Sequence, residues 1–152
     1  MNDDRSSGSD ASERSERGDS SDSPARSGAK RGAKYVYEAL LAAGIELLVG
    51  LPGTQTLPLD RTVAAREEMT YVMARHETAI PHIAWGHYET SGEVAATLTV
   101  PGPGETNAMH GLKNAAEDGV PIVHIAADVN PDERGRSPIH EIEPWTYDDV
   151  LL

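Results

Sequence analysis

From Lys34 onward the chain alternates two textures. In "KYVYEALLAAG" the apolar positions Val36, Leu40, Leu41 and Ala43 recur at helical steps, which predicts a helix, and Gly44 supplies its C-terminal stop. "IELLVG" is a short apolar run of the kind found in strands buried on both faces, and Pro52-Gly53 closes it. The alternation then repeats, with a helix over 56–66 in which Pro58 is tolerable in the first turn, and a strand in "MTYVMA". A helix over 77–90, a strand in "VAATLTV", a helix over 105–117 and a strand in "PIVHIA" follow. Strands alternating with helices across short loops predict an α/β fold. Its form is a three-layer, doubly wound, mostly parallel sheet with helices on both faces and right-handed crossovers.

In such a sheet the loops that leave the strands share one edge, which is where open α/β sheets bind ligands. Here those loops are "GLPGTQT", "RHET", "PGPGETN" and the stretch after Ala126. Gly102 and Gly104 precede a helix and invite a phosphate reading. The loop lacks the third glycine of the dinucleotide fingerprint and the Lys-Ser/Thr of a P-loop, so a tight turn that lets backbone approach a flat ligand fits better. Glu105 or Thr106 would assist the helix start. Glu77 stands where a strand gives way to a helix. There the macrodipole favours its anion while Ala79, Ile80, Ile83 and Ala84 suggest an apolar surround, two opposed influences on a carboxyl that can exchange a proton with a bound heterocycle. A glutamate in a first helical turn is also an ordinary stabilising charge.

The histidines do not stack as metal ligands: His76 and His82 are six apart, His82 and His87 five, and no metal site is expected. His82 and His124 are expected to pack or hydrogen bond. No Gly-x-Ser-x-Gly elbow is present, which argues against a hydrolase nucleophile.

Residues 1–32 have a different texture. They are Ser, Asp, Arg and Gly with almost nothing to bury, and so read as a disordered tail ahead of one folded domain over 33–152. The tail holds seven acids and six bases, leaving eighteen acids against seven bases in the remainder, so nearly all of the net charge of -12 belongs to the folding part. That surface repels nucleic acid and anionic membranes. Three lysines and no phenylalanine suggest a protein of a salt-loving organism. Cysteine is absent, so chemistry must use oxygen and nitrogen groups, and with no apolar run of membrane-spanning length the expected location is the cytoplasm.

Four ordered stretches, "GIELLVGLPGTQTLPLDRTV", "YVMARHETAIPHIAWGHYETSG", "VAATLTVPGPGETNAMHGLKNAAEDGVPIVHIAAD" and "SPIHEIEPWT", resemble the N-terminal pyrimidine-binding domain of thiamine diphosphate-dependent enzymes. Acetolactate synthase is the nearest pattern, and the likeness runs from residue 33 to about 147. The resemblance implies that Glu77, in the Arg-His-Glu motif, hydrogen bonds N1′ of the cofactor's aminopyrimidine and is the catalytic residue. There it promotes the imino tautomer whose nitrogen deprotonates the thiazolium carbon. It implies cofactor-binding roles for Pro52 and Gly53, whose loop approaches the pyrimidine, and for Gly102 and Asn107 of the "GPG-TN" segment. The resemblance also puts His140 among the cofactor-binding residues, at a position that is glutamine in acetolactate synthases, and Pro81 and Trp85 replace small or acidic residues, so the substrate side is expected to differ.

In that family diphosphate and magnesium are bound by a separate domain with a Gly-Asp-Gly...Asn-Asn type motif, a segment not found here. The chain is therefore expected to hold only the pyrimidine end of thiamine diphosphate. Magnesium is expected on a partner domain; some relatives also require FAD. Three readings follow. The chain is half of an acetolactate synthase-like or 2-oxoacid decarboxylase-like enzyme completed by another polypeptide, as in the two-chain sulfopyruvate decarboxylases. Alternatively it is a non-catalytic binding or regulatory module, or an inactive truncated gene product. The first predicts a homo- or hetero-oligomer, a 2-oxoacid substrate, and an exposed apolar loop edge containing Leu51, Leu57, Ile80 and Met109.

Overall fold

The computed structural model describes residues 32–129, 133–136 and 139–141. Apart from Gly32, the expected tail lies outside the described residues, as does part of "SPIHEIEPWT". The described chain runs α1 (Gly32–Ala42), β1 (Leu47–Gly50), α2 (Leu57–Ala64), β2 (Thr70–Met73), α3 (Ala79–Ser91), β3 (Ala95–Thr99), α4 (Pro103–Glu117) and β4 (Ile122–Ala126). All strand pairs are parallel, in the order β2-β1-β3-β4.

Strand register sorts the side chains into two layers. Leu48 of β1 lies beside Tyr71 of β2 and Ala96 of β3. With Leu98 they face α1 and α2, where Tyr37, Leu40, Leu59 and Val63 complete a buried cluster. On the other face Val49 packs with Ile80 of α3. The chain moves from β1 to β2 in one direction with α2 on the first face. It then reverses towards β3 and β4, with α3 and α4 on the second, as a fixed crossover hand requires. The sheet is thus the expected doubly wound one, and its winding reverses between β1 and β3. Their C-terminal ends define the crevice where such sheets take ligands.

Several sequence expectations shift. In α1 the inward residues are Tyr37 and Leu40, while Val36 is 38% exposed, because the sheet lies one position round from the face the spacing marked. The third helix starts at Ala79 rather than at 77. The fourth begins at Pro103, two residues earlier than expected, since a proline at the first helical position loses no hydrogen bond. The expected exposed edge is not formed by Ile80 and Met109. They are 0% and 6% exposed, filling the space between α3, α4 and the sheet, and Leu51 and Leu57 are half-buried. Ile83, expected in the apolar surround of Glu77, is exposed, because it sits on the outward face of α3.

Candidate functional site: the crevice at the ends of β1, β2 and β3

Three loops meet at the winding reversal. After β1, Gly53 donates its N–H to Thr56 Oγ1 at 2.9 Å, and the Thr56 hydroxyl reaches Asp60 Oδ2 at 2.7 Å. Asp60 accepts a second bond from the Tyr71 hydroxyl on β2 at 3.1 Å. Space for that hydroxyl exists because position 50 has no side chain: a Cβ there would lie 2.7 Å from it. The Pro52-Gly53 turn is therefore tied through α2 to the neighbouring strand. Pro52 itself is exposed.

Burial first, then the charge of Asp60 and its hydrogen bond, pushes the Tyr71 hydroxyl well above the ordinary tyrosine range. Burial raises Tyr37 as well. The folded state keeps these protons after the unfolded chain has released them. This stabilisation is complete below about pH 10 and is lost as pH rises towards the folded values. Tyr71→Phe should cost about 1 kcal/mol at neutral pH and flatten part of the alkaline loss. Urea midpoints measured from pH 7 to 11 check both; an unchanged midpoint and slope would remove the tether.

Glu77 lies in the turn that opens α3, two residues before the helix, and its carbonyl accepts the Ile80 N–H at 3.0 Å. It is half-buried, while its neighbours Arg75 and His76 are exposed. Asn107 Nδ2 on α4 donates to Glu77 Oε2 at 3.2 Å, and the Thr78 hydroxyl donates to the Asn107 carbonyl at 3.0 Å. Two bonds thus lock the turn after β2 to the first turns of α4.

The glycines join the loops to each other. Val100, just past β3, occupies the space that a Cβ on Gly53 would need, and a Cβ on Gly104 would lie 2.6 Å from its Cγ2 and 3.7 Å from Glu77 Cγ. Gly102 has φ +69°, and a Cβ there would meet the Ile139 carbonyl at 2.6 Å and His140 Cα at 2.8 Å. The sequence suggested that these glycines leave room for a flat ligand. In the structure a Cβ at these positions would meet Val100 or the backbone at 139–140, so the absence of side chains lets the strand-end loops approach one another. Gly53 and Gly104 thus meet through Val100, Gly104 and Asn107 meet Glu77, and Gly102 meets His140.

Sequence reasoning missed Val100 and the Thr56-Asp60-Tyr71 tether. The four-residue step from Thr56 to Asp60 was a usable signal, since it stacks both side chains on one face of α2. It also cast Glu105 as an aid to the helix start. Instead Glu105 is 4% exposed and points at the sheet, accepting from the Thr99 hydroxyl at 2.8 Å and meeting His124 Nε2 at 2.6 Å. His124 Nδ1 lies 2.7 Å from Thr97 Oγ1. His82 Nδ1 sits 2.7 Å from the Thr78 carbonyl, and its ring stacks on His110.

A half-buried carboxylate, oriented by an amide and set where parallel strands end, can hold a proton at a heterocyclic nitrogen. The family model for "Thiamine pyrophosphate enzyme, N-terminal TPP binding domain" matches residues 30–149. The chain belongs to this family. Members similar to it include the acetolactate synthase large subunit of Lactococcus lactis, 33% identical over 112 residues, and isozyme 1 of Escherichia coli, 28% identical over 114 residues. These alignments cover 74% and 75% of this chain and 20% of each relative. Among solved structures, a thiamine diphosphate-dependent 4-hydroxybenzoylformate decarboxylase of Rhodococcus jostii RHA1 superposes with a TM-score of 0.71 at 26% identity. It covers 78% of this chain and 22% of its own. The chain is thus an acetolactate synthase-like N-terminal domain spanning about one fifth of the length of these relatives.

Proposed function

We propose that this crevice takes the aminopyrimidine end of thiamine diphosphate, with Glu77 against N1′. The chain then acts as the pyrimidine half of an acetolactate synthase-like or 2-oxoacid decarboxylase-like enzyme. The observation that carries the reading is the Glu77 carboxylate, half-buried at the winding reversal and held by Asn107.

The residues present fit a pyrimidine. Glu77 offers an acceptor that can also carry a proton, Asn107 fixes its orientation, and Gly104 lies behind its side chain. For the other end of the cofactor the sequence has no Gly-Asp-Gly...Asn-Asn type motif. In this reading diphosphate and magnesium fall to another domain or polypeptide, and assembly with it completes the site. When bound, the cofactor supplies a thiazolium carbon that adds to a 2-oxoacid and accepts its electrons. Glu77 holds the proton at the ring nitrogen, and Asn107 keeps the carboxylate turned towards it. Among the described residues no helix is long and apolar enough to cross a membrane.

Calorimetry tests the division of labour. The chain alone should bind thiamine diphosphate with magnesium at millimolar strength or weaker, and tightly once combined with a polypeptide bearing the diphosphate-binding motif. Micromolar binding by the chain alone would contradict it.

A further inference from the structure

The first two turns of α4 bring Gly104 and Asn107 against Glu77, yet no side chain caps the start of the helix. Gly102 precedes it with no side chain to cap the free N–H groups, and no side-chain cap bond is made. Glu105 does not turn back to those groups. Its carboxylate goes to the sheet, where one oxygen meets Thr99 on β3 and His124 on β4. Thr97 and Thr99 are fully buried, and Thr97 pairs with His124 in register, so four side chains form one connected run, Thr97–His124–Glu105–Thr99, on the α4 face. A carboxyl group buried to this extent is costly unless its partners satisfy it, so its position is strongly specified.

The residues on either side of this anchor meet Glu77. Gly104 backs the Glu77 side chain, and Asn107 donates to its carboxylate. We propose that Glu105, gripped by Thr99 and His124, is a positioning residue: it sets the first turn of α4 against the sheet so that the Asn107 amide stays on Glu77. The proposal rests on the reading of Glu77 given above for its functional meaning, though not for its geometry.

The test uses the full 152-residue chain without cofactor or partner. The Asn107 side-chain amide pair is followed by proton–nitrogen NMR and assigned by its loss in Asn107→Ala. In Glu105→Ala the pair should move to the positions it takes in Glu77→Ala, where the acceptor is gone. Glu105→Gln keeps the length and a carbonyl acceptor for the Thr99 hydroxyl and for His124 Nε2–H, which share one oxygen in the wild type, and should return the pair most of the way to wild type. Ala115→Gly weakens α4 by about 1 kcal/mol far from the anchor and should leave it in place. A folded Glu105→Ala with the wild-type resonances overturns the proposal, as does an equal displacement in Ala115→Gly. Should Glu105→Ala not fold, Thr99→Val decides: it removes one donor while keeping the shape, and an unmoved Asn107 pair overturns the anchor. Because no cofactor is present, failure here is separate from failure of Glu77 as the pyrimidine ligand, which turnover measures.

Discussion

Glu77→Gln, in the chain combined with its diphosphate-binding partner, should lower turnover about 10²- to 10⁴-fold, the range that a positioned proton-transfer group contributes. The substitution keeps the side-chain length and leaves Asn107 an acceptor, because the glutamine carbonyl can take the bond now made by Oε2. What it removes is the ability to carry a proton at the ring nitrogen. Circular dichroism and thermal midpoint should stay close to wild type, since a half-buried side chain with one hydrogen bond contributes only about 1 kcal/mol to folding. Stopped-turnover assays with a 2-oxoacid, beside the unfolding curve, check both halves. Turnover within a few-fold of wild type in a loaded complex would take Glu77 out of the chemistry.

Gly102→Ala should produce the largest loss of stability of any single methyl addition around the site. At φ +69° and ψ -117° the backbone lies where a side chain is strained, and the added Cβ would come 2.6 Å from the Ile139 carbonyl. Backbone has to move, since neither obstacle is the end of a flexible side chain. Strain and displacement together cost about 2 kcal/mol or more, a drop on the order of 10 °C in midpoint for a domain of this size. The movement would part the turn before α4 from residues 139–140, so cofactor binding by the completed enzyme should weaken too. A midpoint within a degree or two of wild type would mean that this turn relaxes freely and that the packing at His140 is not a constraint.

The fold was legible in the sequence because its signals are local. Apolar runs such as "IELLVG" mark strands covered on both faces, and Gly44, with φ +77°, stops α1 where expected. Alternation with helices then leaves few topologies open. The site was partly legible, since residues that leave parallel strands must share an edge, and Glu77 and Asn107 meet there. The pairing partners were not, because register is a property of the assembled sheet. Nothing near Glu105 announces that Thr99 and His124 will face it from two strands, although a histidine inside the apolar run "PIVHIA" signals that some buried partner must exist. Burial of Ile80 and Met109 was misjudged for a similar reason. Both lie next to loops in sequence, while the close approach of α3 and α4 depends on Gly111, where a Cβ would meet Pro81 Cγ at 2.5 Å.

The central claim is that a pyrimidine ring docks beside Glu77, and the most direct measurement is amide shift mapping by NMR. The full chain is titrated to millimolar levels with 4-amino-5-hydroxymethyl-2-methylpyrimidine, the cofactor's ring without its diphosphate. The account predicts shifts concentrated at Gly53, Glu77, Gly102 and Asn107, and their loss in Glu77→Gln. Shifts centred elsewhere, or none at saturating ring concentration, would contradict it.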